Sequence, residues 1–153
     1  MTAERAQSNA EQGAGKSYTN RRPITIYWGD CDPAGIVFNP RFFEIFDAST
    51  ALIFEAALGI NKRDMLAKFN AAGIPLVKTE AEFLKPLRYG DNAIVESTVT
   101  FGRTSFGVEH KILHNGQLHV KGIEKRVWTA RDANGQMRSA PIPEEILKAC
   151  GVA

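Results

Sequence analysis

The sequence predicts an α+β fold in which a five- to six-stranded antiparallel sheet wraps one long helix. Residues 40 to 58 form a single stretch that is apolar around most of a helical circumference. After residue 73 the apolar side chains recur at every second position, as in half-buried strands. Asn115-Gly116 is the preferred pair for a two-residue hairpin turn. A helix that is apolar on nearly all sides needs cover, and a surrounding sheet supplies it.

Length and composition predict one ordinary domain. The chain has 153 residues, and residues 1 to 21 are so polar that they predict a disordered tail, followed by a single domain from 22 to 153. The 19 basic and 17 acidic residues leave a net charge of +2, which gives no reason to expect nucleic acid or a membrane as partner. With no apolar span of ~20 residues and no signal-like segment, the expected location is the cytoplasm. Cys31 and Cys150 have no metal-binding or redox spacing.

The first half of the domain should contain one strand and two helices. Residues 24 to 28, ITIYW, are β-branched and aromatic and predict a strand that ends at Gly29. Asn39 is a suitable N-cap and Pro40 a suitable first residue for the long helix, which should end at Gly59. Residues 61 to 73 fit a short amphipathic helix.

The second half should consist of about four long strands and a terminal helix. The first, within residues 74 to 86, places Val77, Thr79, Ala81 and Phe83 on one face. The second, from 91 to 104, places Ala93, Val95, Ser97, Val99 and Phe101 on one face.

The Asn115-Gly116 turn joins the next two strands, and its geometry predicts that Leu113 lies opposite Leu118 and His110 opposite Lys121. A turn at 132 to 135 precedes a short helix after Pro143. An open sheet has unpaired edges, so we expect a homo-oligomer, a dimer or a homotetramer.

The loop GDCDPAGIVFNP, residues 29 to 40, carries the chemistry, and several interpretations are open. It can be a plain polar turn. It resembles a calcium loop at Asp30, Asp32 and Gly35, but Arg41 stands where that loop needs a bidentate glutamate. Cys31 could act as a nucleophile only with a nearby base. The histidines are best interpreted as structural, since all three lie in or beside one distant hairpin: His110, His114 and His119.

A further interpretation combines a carboxylate with the start of the long helix. A helix N-terminus carries free N–H groups and partial positive charge, which suit an oxyanion that develops on a carbonyl. Asp32 could then attack the carbonyl carbon or activate water, while the backbone N–H near Asn39 polarises the carbonyl oxygen. Because a carboxylate is a weak nucleophile towards an amide, an activated acyl group such as a thioester is the expected target.

GDCDPAGIVFNPRFFEIFDA resembles the signature of the 4-hydroxybenzoyl-CoA thioesterase branch of the hot-dog-fold superfamily. The resemblance extends over residues 23 to 145 and includes EFLKPLRYGD and FGRTSF. It implies hydrolysis of a small, aromatic acyl-CoA by the carboxylate at Asp32 and the helix-tip N–H at Asn39, with neither metal nor cofactor. Asp30 is then expected to orient the loop or to be solvated.

The same resemblance implies the substrate contacts. Arg103, with Ser105 beside it, is the first candidate for the CoA phosphates, and Arg88 and Lys85 are weaker candidates. The acyl pocket would be formed by the motif residues and by phenylalanines that could equally belong to the core: Gly35, Val37, Phe38, Phe42 and Phe43. Two other functions stay open, a non-catalytic module that binds acyl groups or CoA and a thioesterase that acts on an acyl carrier protein.

Overall fold

The computed structural model describes residues 17–153, and its main feature is a five-stranded antiparallel sheet. The strands of this sheet are β1 (Ser17–Thr25), β3 (Leu76–Phe83), β4 (Asn92–Phe101), β5 (Ser105–His114) and β6 (Gln117–Val127). They follow one another in the order β1-β4-β5-β6-β3, so that β1 and β3 are the two edges. The predicted sheet of long antiparallel strands is confirmed.

Three helices and a small second sheet complete the fold. The helices are α1 (Pro40–Leu58), α2 (Lys62–Lys68) and α3 (Glu144–Ala149), and a single 3₁₀ turn covers Trp28–Asp30. The small sheet has the order β2-β7-β8 and consists of β2 (Ala71–Gly73), β7 (Thr129–Arg131) and β8 (Met137–Ser139). The 132 to 135 turn and the terminal helix are therefore where the sequence predicts them.

The core lies between α1 and the main sheet, in two clusters along the helix. The cluster at the N-terminal half of α1 contains Phe42 and Phe46 with side chains from β4, β5 and β6. The cluster at the C-terminal half contains Ile53 and Phe54 with Trp128 and Ile146. In the described part of the chain, no helix is both long and apolar enough to cross a membrane.

Helix α1 has the predicted bounds but a different environment. It begins at Pro40 and ends where Gly59 takes a left-handed conformation, with φ of 75°. Only one face is buried, the face that carries Phe42, Phe46, Ser49, Thr50, Ile53 and Phe54. The predicted burial on nearly all sides is not met within a single chain, because the sheet covers only that face.

The predicted disordered tail is wrong at its C-terminal end, and residues 1–16 of it lie outside the described residues. Residues 17 to 21 belong to β1, which pairs with β4 from Ser17 opposite Thr100 to Thr25 opposite Asn92. Their polar side chains have partners across the strands, since the hydroxyls of Thr19 and Thr98 are 2.8 Å apart. The predicted first strand is also shifted, because residues 26 to 28 lie after the end of β1.

Residues 61 to 73 are only partly helical. Helix α2 ends at Lys68, and Asn70 follows with φ of 51°, a left-handed conformation that stops a helix. Ala71–Gly73 then forms β2 and pairs with β7. The predicted helix is therefore too long.

The hairpin register is right near the turn and wrong farther from it. Leu113 pairs with Leu118 as predicted, but His110 pairs with Gly122 and not with Lys121. The register shifts between Ile112 and Leu113, which moves every later pair by one residue. The shift brings Gly122, which has no side chain, under the ring of Phe46.

Candidate active site

The loop between β1 and α1 is a tight turn fixed to the chain that precedes β4. Cys31 bridges Val37, and the N–H of Asp32 donates to the carbonyl of Ile36 at 2.9 Å. Gly35 has φ of 79°, which explains a glycine at the tip. Ile36 in turn bridges Arg88, so the loop is pinned from a second side.

The two carboxylates of the loop have different surroundings. Asp30 Oδ2 accepts a hydrogen bond of 2.9 Å from the N–H of Tyr27 and thus closes the 3₁₀ turn, which agrees with an orienting role. Asp32 is half-buried, and its Oδ1 accepts a hydrogen bond of 2.8 Å from the N–H of Ala34. Its Oδ2 meets no donor among residues 17–153. Asp32 therefore combines a fixed position with an oxygen that can react.

The tip of α1 offers one free backbone donor. Asn39 has helical φ and ψ of −48° and −42°, and its side chain makes no capping bond, so the predicted N-cap contact is wrong. Pro40 has no N–H. The N–H groups of Arg41 and Phe42 donate to the carbonyls of Phe38 and Asn39, at 2.8 and 3.1 Å. Within the described residues, the N–H of Asn39 has no acceptor. It lies at the positive end of a 19-residue helix.

A cavity of about 140 Å³ opens at this tip and is mostly apolar. The rings of Phe42 and Phe83 form one wall, with centroids 5.6 Å apart. The lining residues are Ile36, Val37, Asn39, Phe42, Phe83, Leu84, Lys85, Pro86 and Leu87.

Three predicted pocket residues fall elsewhere. Gly35, the exposed Phe38 and Phe43 lie outside the lining, although Phe43 contacts Phe83. Asp32 is also outside it, but it is hydrogen-bonded to Ile36, which is inside.

The predicted CoA contacts are not all brought to this end of the molecule. Arg88 bridges Ile36 and so lies beside the candidate catalytic loop. Arg103 and Ser105 lie at the turn between β4 and β5, at the other end of the 10-residue strand β4, ~30 Å away. Ser105 lines a groove of about 450 Å³ there, with Lys78 and Lys125. A single chain therefore does not place Arg103 near Asp32.

The cysteine and the histidines form no catalytic pair. Cys31 Sγ lies 3.7 Å from the carbonyl of Tyr27. His110 is fully buried and hydrogen-bonded on both ring nitrogens, which confirms its structural character. His119 was not predicted to touch the site, yet its Nδ1 lies 3.2 Å from the carbonyl of Pro86 behind the cavity. Strand alternation gave no signal for this contact, because the partner belongs to a loop.

Comparison with known proteins defines the class. The family model of the thioesterase-like superfamily matches residues 26–150. The 4-hydroxybenzoyl-CoA thioesterase of Pseudomonas sp. (strain CBS-3) is 28% identical over 131 residues, which cover 82% of this chain and 92% of the relative. The solved structure of that enzyme superposes with a TM-score of 0.77 at 27% identity, and the match covers 87% of this chain and 99% of the other.

Two further relatives point the same way. The 1,4-dihydroxy-2-naphthoyl-CoA hydrolase of Synechococcus elongatus (strain ATCC 33912 / PCC 7942 / FACHB-805) is 30% identical over 79% of this chain and 87% of its own. A gentisyl-coenzyme A thioesterase structure superposes with a TM-score of 0.71 at 25% identity, covering 86% of this chain and 98% of the other.

The fold is therefore the hot-dog fold, and the molecule is a thioester hydrolase. The chain belongs to the thioesterase-like superfamily, and within it this protein is an acyl-CoA thioesterase.

Proposed function

We propose that the protein hydrolyses a small aromatic acyl-CoA, with Asp32 as the catalytic carboxylate and the N–H of Asn39 as the oxyanion donor. The observation that carries this proposal is the unpaired N–H of Asn39, a residue that stands at the positive end of α1 and lines a mostly apolar cavity. Because no protein acceptor in the described residues uses it, this donor is available to a ligand that enters the cavity. The free Oδ2 of Asp32 lies on the same short loop.

Two chemical routes are compatible with these groups. In the first, an Asp32 oxygen attacks the thioester carbonyl carbon, the C–S bond breaks, CoA leaves as the thiolate, and water hydrolyses the acyl–aspartyl anhydride. In the second, Asp32 takes a proton from water, whose oxygen attacks the same carbon before the C–S bond breaks. Both routes put negative charge on the carbonyl oxygen, where the Asn39 N–H would stabilise it. Label found in Asp32 after a single turnover in isotopically labelled water would identify the first route, with attack of water on the aspartyl carbonyl of the anhydride, because the second route leaves the aspartate unlabelled.

The substrate assignment rests on the cavity and on the relatives. The pair Phe42 and Phe83 offers ring faces and edges against which an aromatic acyl group packs well. The relatives are named for 4-hydroxybenzoyl, 1,4-dihydroxy-2-naphthoyl and gentisyl thioesters of CoA, all of which carry a hydroxylated ring. We therefore propose a hydroxylated, 4-hydroxybenzoyl-like aryl group.

The proposed active unit is a homo-oligomer in the cytoplasm. Strand β3 is an edge of the sheet, and a two-fold axis beside it would pair β3 antiparallel with its copy. Such pairing turns the partner's Arg103 end toward the Asp32 end of the first chain. Within residues 17–153 the side chain of Arg103 has no hydrogen-bond or ion-pair partner, so its guanidinium is available to bind a phosphate.

The test is thiol release from a panel of acyl-CoA thioesters that includes benzoyl, 4-hydroxybenzoyl, a dihydroxynaphthoyl and short aliphatic groups. We expect the highest kcat/KM with a single hydroxylated ring. Release only from aliphatic esters would contradict the aromatic assignment, and binding without release would favour a non-catalytic module. The same acyl groups on an acyl carrier protein give the control for the carrier, and we expect them to react poorly.

A further inference from the structure

A buried polar network lies under the middle of α1, outside the proposed catalytic groups. Arg126 on β6 donates from Nη2 to Glu124 Oε2 at 2.9 Å and to Asp47 Oδ1 at 2.7 Å. Glu124 accepts a very short hydrogen bond from the hydroxyl of Thr50. His110 Nε2 lies 3.2 Å from that hydroxyl, and His110 Nδ1 lies 2.7 Å from Ser97 Oγ. Four of the six residues are at most 2% exposed.

Each group in the network has a partner. If the histidine proton is on Nε2, it can be donated to Thr50 or to Glu124 Oε1, which is 3.3 Å away. Thr50 can donate to Glu124, and Ser97 can donate to Nδ1. No buried side-chain nitrogen or oxygen in the described residues lacks a partner. The order Ser97, His110, acid is that of a catalytic triad, but Ser97 is 1% exposed, so a carbonyl cannot reach it.

A network of this kind often stabilises a core less than apolar side chains of the same volume would. Buried ion pairs cost much desolvation, and apolar side chains of similar volume often stabilise a protein more. Hydrogen bonds add a directional requirement to this packing, because they weaken steeply when donor and acceptor are misaligned. Fixing register is the best-attested role of buried polar groups. In this protein the buried hydrogen bonds join Asp47 and Thr50 of α1 to β6 directly. Thr50 also contacts His110 on β5, which is linked to β4 in turn.

A second polar contact holds the same turn of α1 from the other side. Arg22 on β1 donates from Nε to Ser49 Oγ at 2.9 Å and from Nη2 to the carbonyl of Ile45 at 3.2 Å. Between Ile45 and Thr50 the helix is thus hydrogen-bonded to strands at both sides. In its first turn Phe42 is the one buried side chain, held by apolar packing, while Pro40 and Phe43 are exposed.

We propose that Thr50 and Glu124 are positioning residues, which set the register of α1 along the sheet and so the place of the Asn39 N–H. Since a helix is stiff and rises 1.5 Å per residue, any slide at Thr50 reaches Asn39 undiminished. Misplacement of a catalytic group by about 1 Å can cost ~100-fold in rate. This inference rests on the proposed function for its kinetic part only.

The test compares three variants of the full chain. Thr50→Val keeps the shape of the side chain and removes the hydroxyl, and Thr50→Ser keeps the hydroxyl. Ile53→Val, at another fully buried position of the same helix, is the control for general loss of core packing. With the best substrate of the panel, we expect Thr50→Val to lower kcat by about 10- to 100-fold at nearly unchanged KM. Thr50→Ser and Ile53→Val should stay near wild type.

Amide hydrogen exchange of the helix tip supplies a readout that needs no activity. The hydrogen-bonded amides of residues 41 to 44 should exchange faster in Thr50→Val than in Ile53→Val, after correction for global stability. Equal kcat and equal exchange in these two variants would overturn the inference. If wild type hydrolysed no acyl-CoA, the proposed function would fail, and the exchange comparison would still decide whether the network holds the helix tip.

Discussion

Asp30 and Asp32 are two aspartates on one loop, and their hydrogen bonds assign Asp30 a structural role and make Asp32 the candidate for the reaction. Asp30 uses Oδ2 to accept the hydrogen bond that closes the 3₁₀ turn, whereas Oδ2 of Asp32 accepts no hydrogen bond from the described residues. An asparagine at either position retains an oxygen that can accept the backbone N–H. The two asparagine variants therefore preserve the loop and differ only in which charge is lost.

Asp32→Asn should lower kcat by ~10²–10⁴ at unchanged fold, because the amide can neither attack the carbonyl nor take a proton. Asp30→Asn should stay within a few-fold of wild type. Steady-state thiol release and thermal unfolding of both proteins check this. Near-normal kcat in Asp32→Asn would remove Asp32 from the mechanism, and equal losses in both variants would point to the loop as a whole.

The backbone at Asn39 can be tested separately from its side chain. Asn39→Ala keeps the N–H, and since the side chain makes no hydrogen bond in the described chain, we expect little change. Asn39→Pro removes the N–H, and the φ of −48° is close to what proline requires. Loss of one oxyanion donor costs ~10²–10³ in kcat, which is our expectation for the proline variant alone. Equal activity of the two variants, with both folded, would exclude this N–H as the oxyanion donor.

At the scale of elements, α1 approaches β6 closely because residue 122 is glycine. A Cβ at Gly122 would lie 2.4 Å from Phe46 Cε2, while a Cβ at Gly107 on β5 would lie 3.7 Å from its nearest neighbour, the carbonyl of Glu124. Phe46 cannot yield easily, since its ring also stacks on His110 with centroids 4.8 Å apart.

Gly122→Ala should therefore destabilise the protein by about 1–3 kcal/mol through overpacking, and Gly107→Ala by much less. Urea unfolding of both variants measures the free energies. Similar values for the two would show that α1 adjusts without cost and that the close approach at Gly122 is not rigid.

The elements also show what sequence patterns reveal and what they miss. The bounds of α1 followed from Pro40 and Gly59, which act locally. The register error at His110 came from a bulge, which depends on tertiary fit and not on the Asn115-Gly116 turn. The buried Glu124 and Arg126 were equally hard to foresee, because charged residues at alternating positions normally face water. Asp32 and Asn39 could be proposed because a loop before a helix start is a local pattern.

For the whole molecule, the buried carboxylate of Glu124 links stability to pH. Burial alone would raise its pKa, but hydrogen bonds from His110, Arg126 and Thr50 outweigh burial and lower the pKa from its ordinary 4.5 to about 2. A lowered pKa means stability that is present above the ordinary value and lost as the pH falls toward the folded value. The affected window is therefore about pH 4.5 down to 2.

Wild type should be more stable than Glu124→Gln at pH 6, and the difference should shrink by roughly 3 kcal/mol as the pH falls through that window. Chemical unfolding of both proteins at several pH values gives the two curves. A difference that does not depend on pH would mean that Glu124 is not held as the anion.

Assembly is the last property that the proposed function needs, since one chain keeps Arg103 ~30 Å from Asp32 along β4. Pairing of β3 with its copy would cover an edge where Val77 is 61% exposed. Val77→Asp puts a charge into that contact and should reduce the particle from a multiple of 16.8 kDa to a single chain. Met137→Asp, at a residue 47% exposed on the small sheet, is the matched control and should leave the mass unchanged.

If the partner chain's end of the sheet completes the CoA site, the variant that no longer assembles should also bind acyl-CoA less well. We expect Val77→Asp to raise KM for the acyl-CoA strongly, because the phosphates lose the cations of the second chain, while Met137→Asp keeps the wild-type KM. Sedimentation velocity and thiol release on the same samples make the comparison direct. A monomeric Val77→Asp protein with an unchanged KM would show that Asp32 and the helix tip act within one chain, and Lys85, which lines the cavity, and Arg88, which bridges Ile36, would then be the candidate cations.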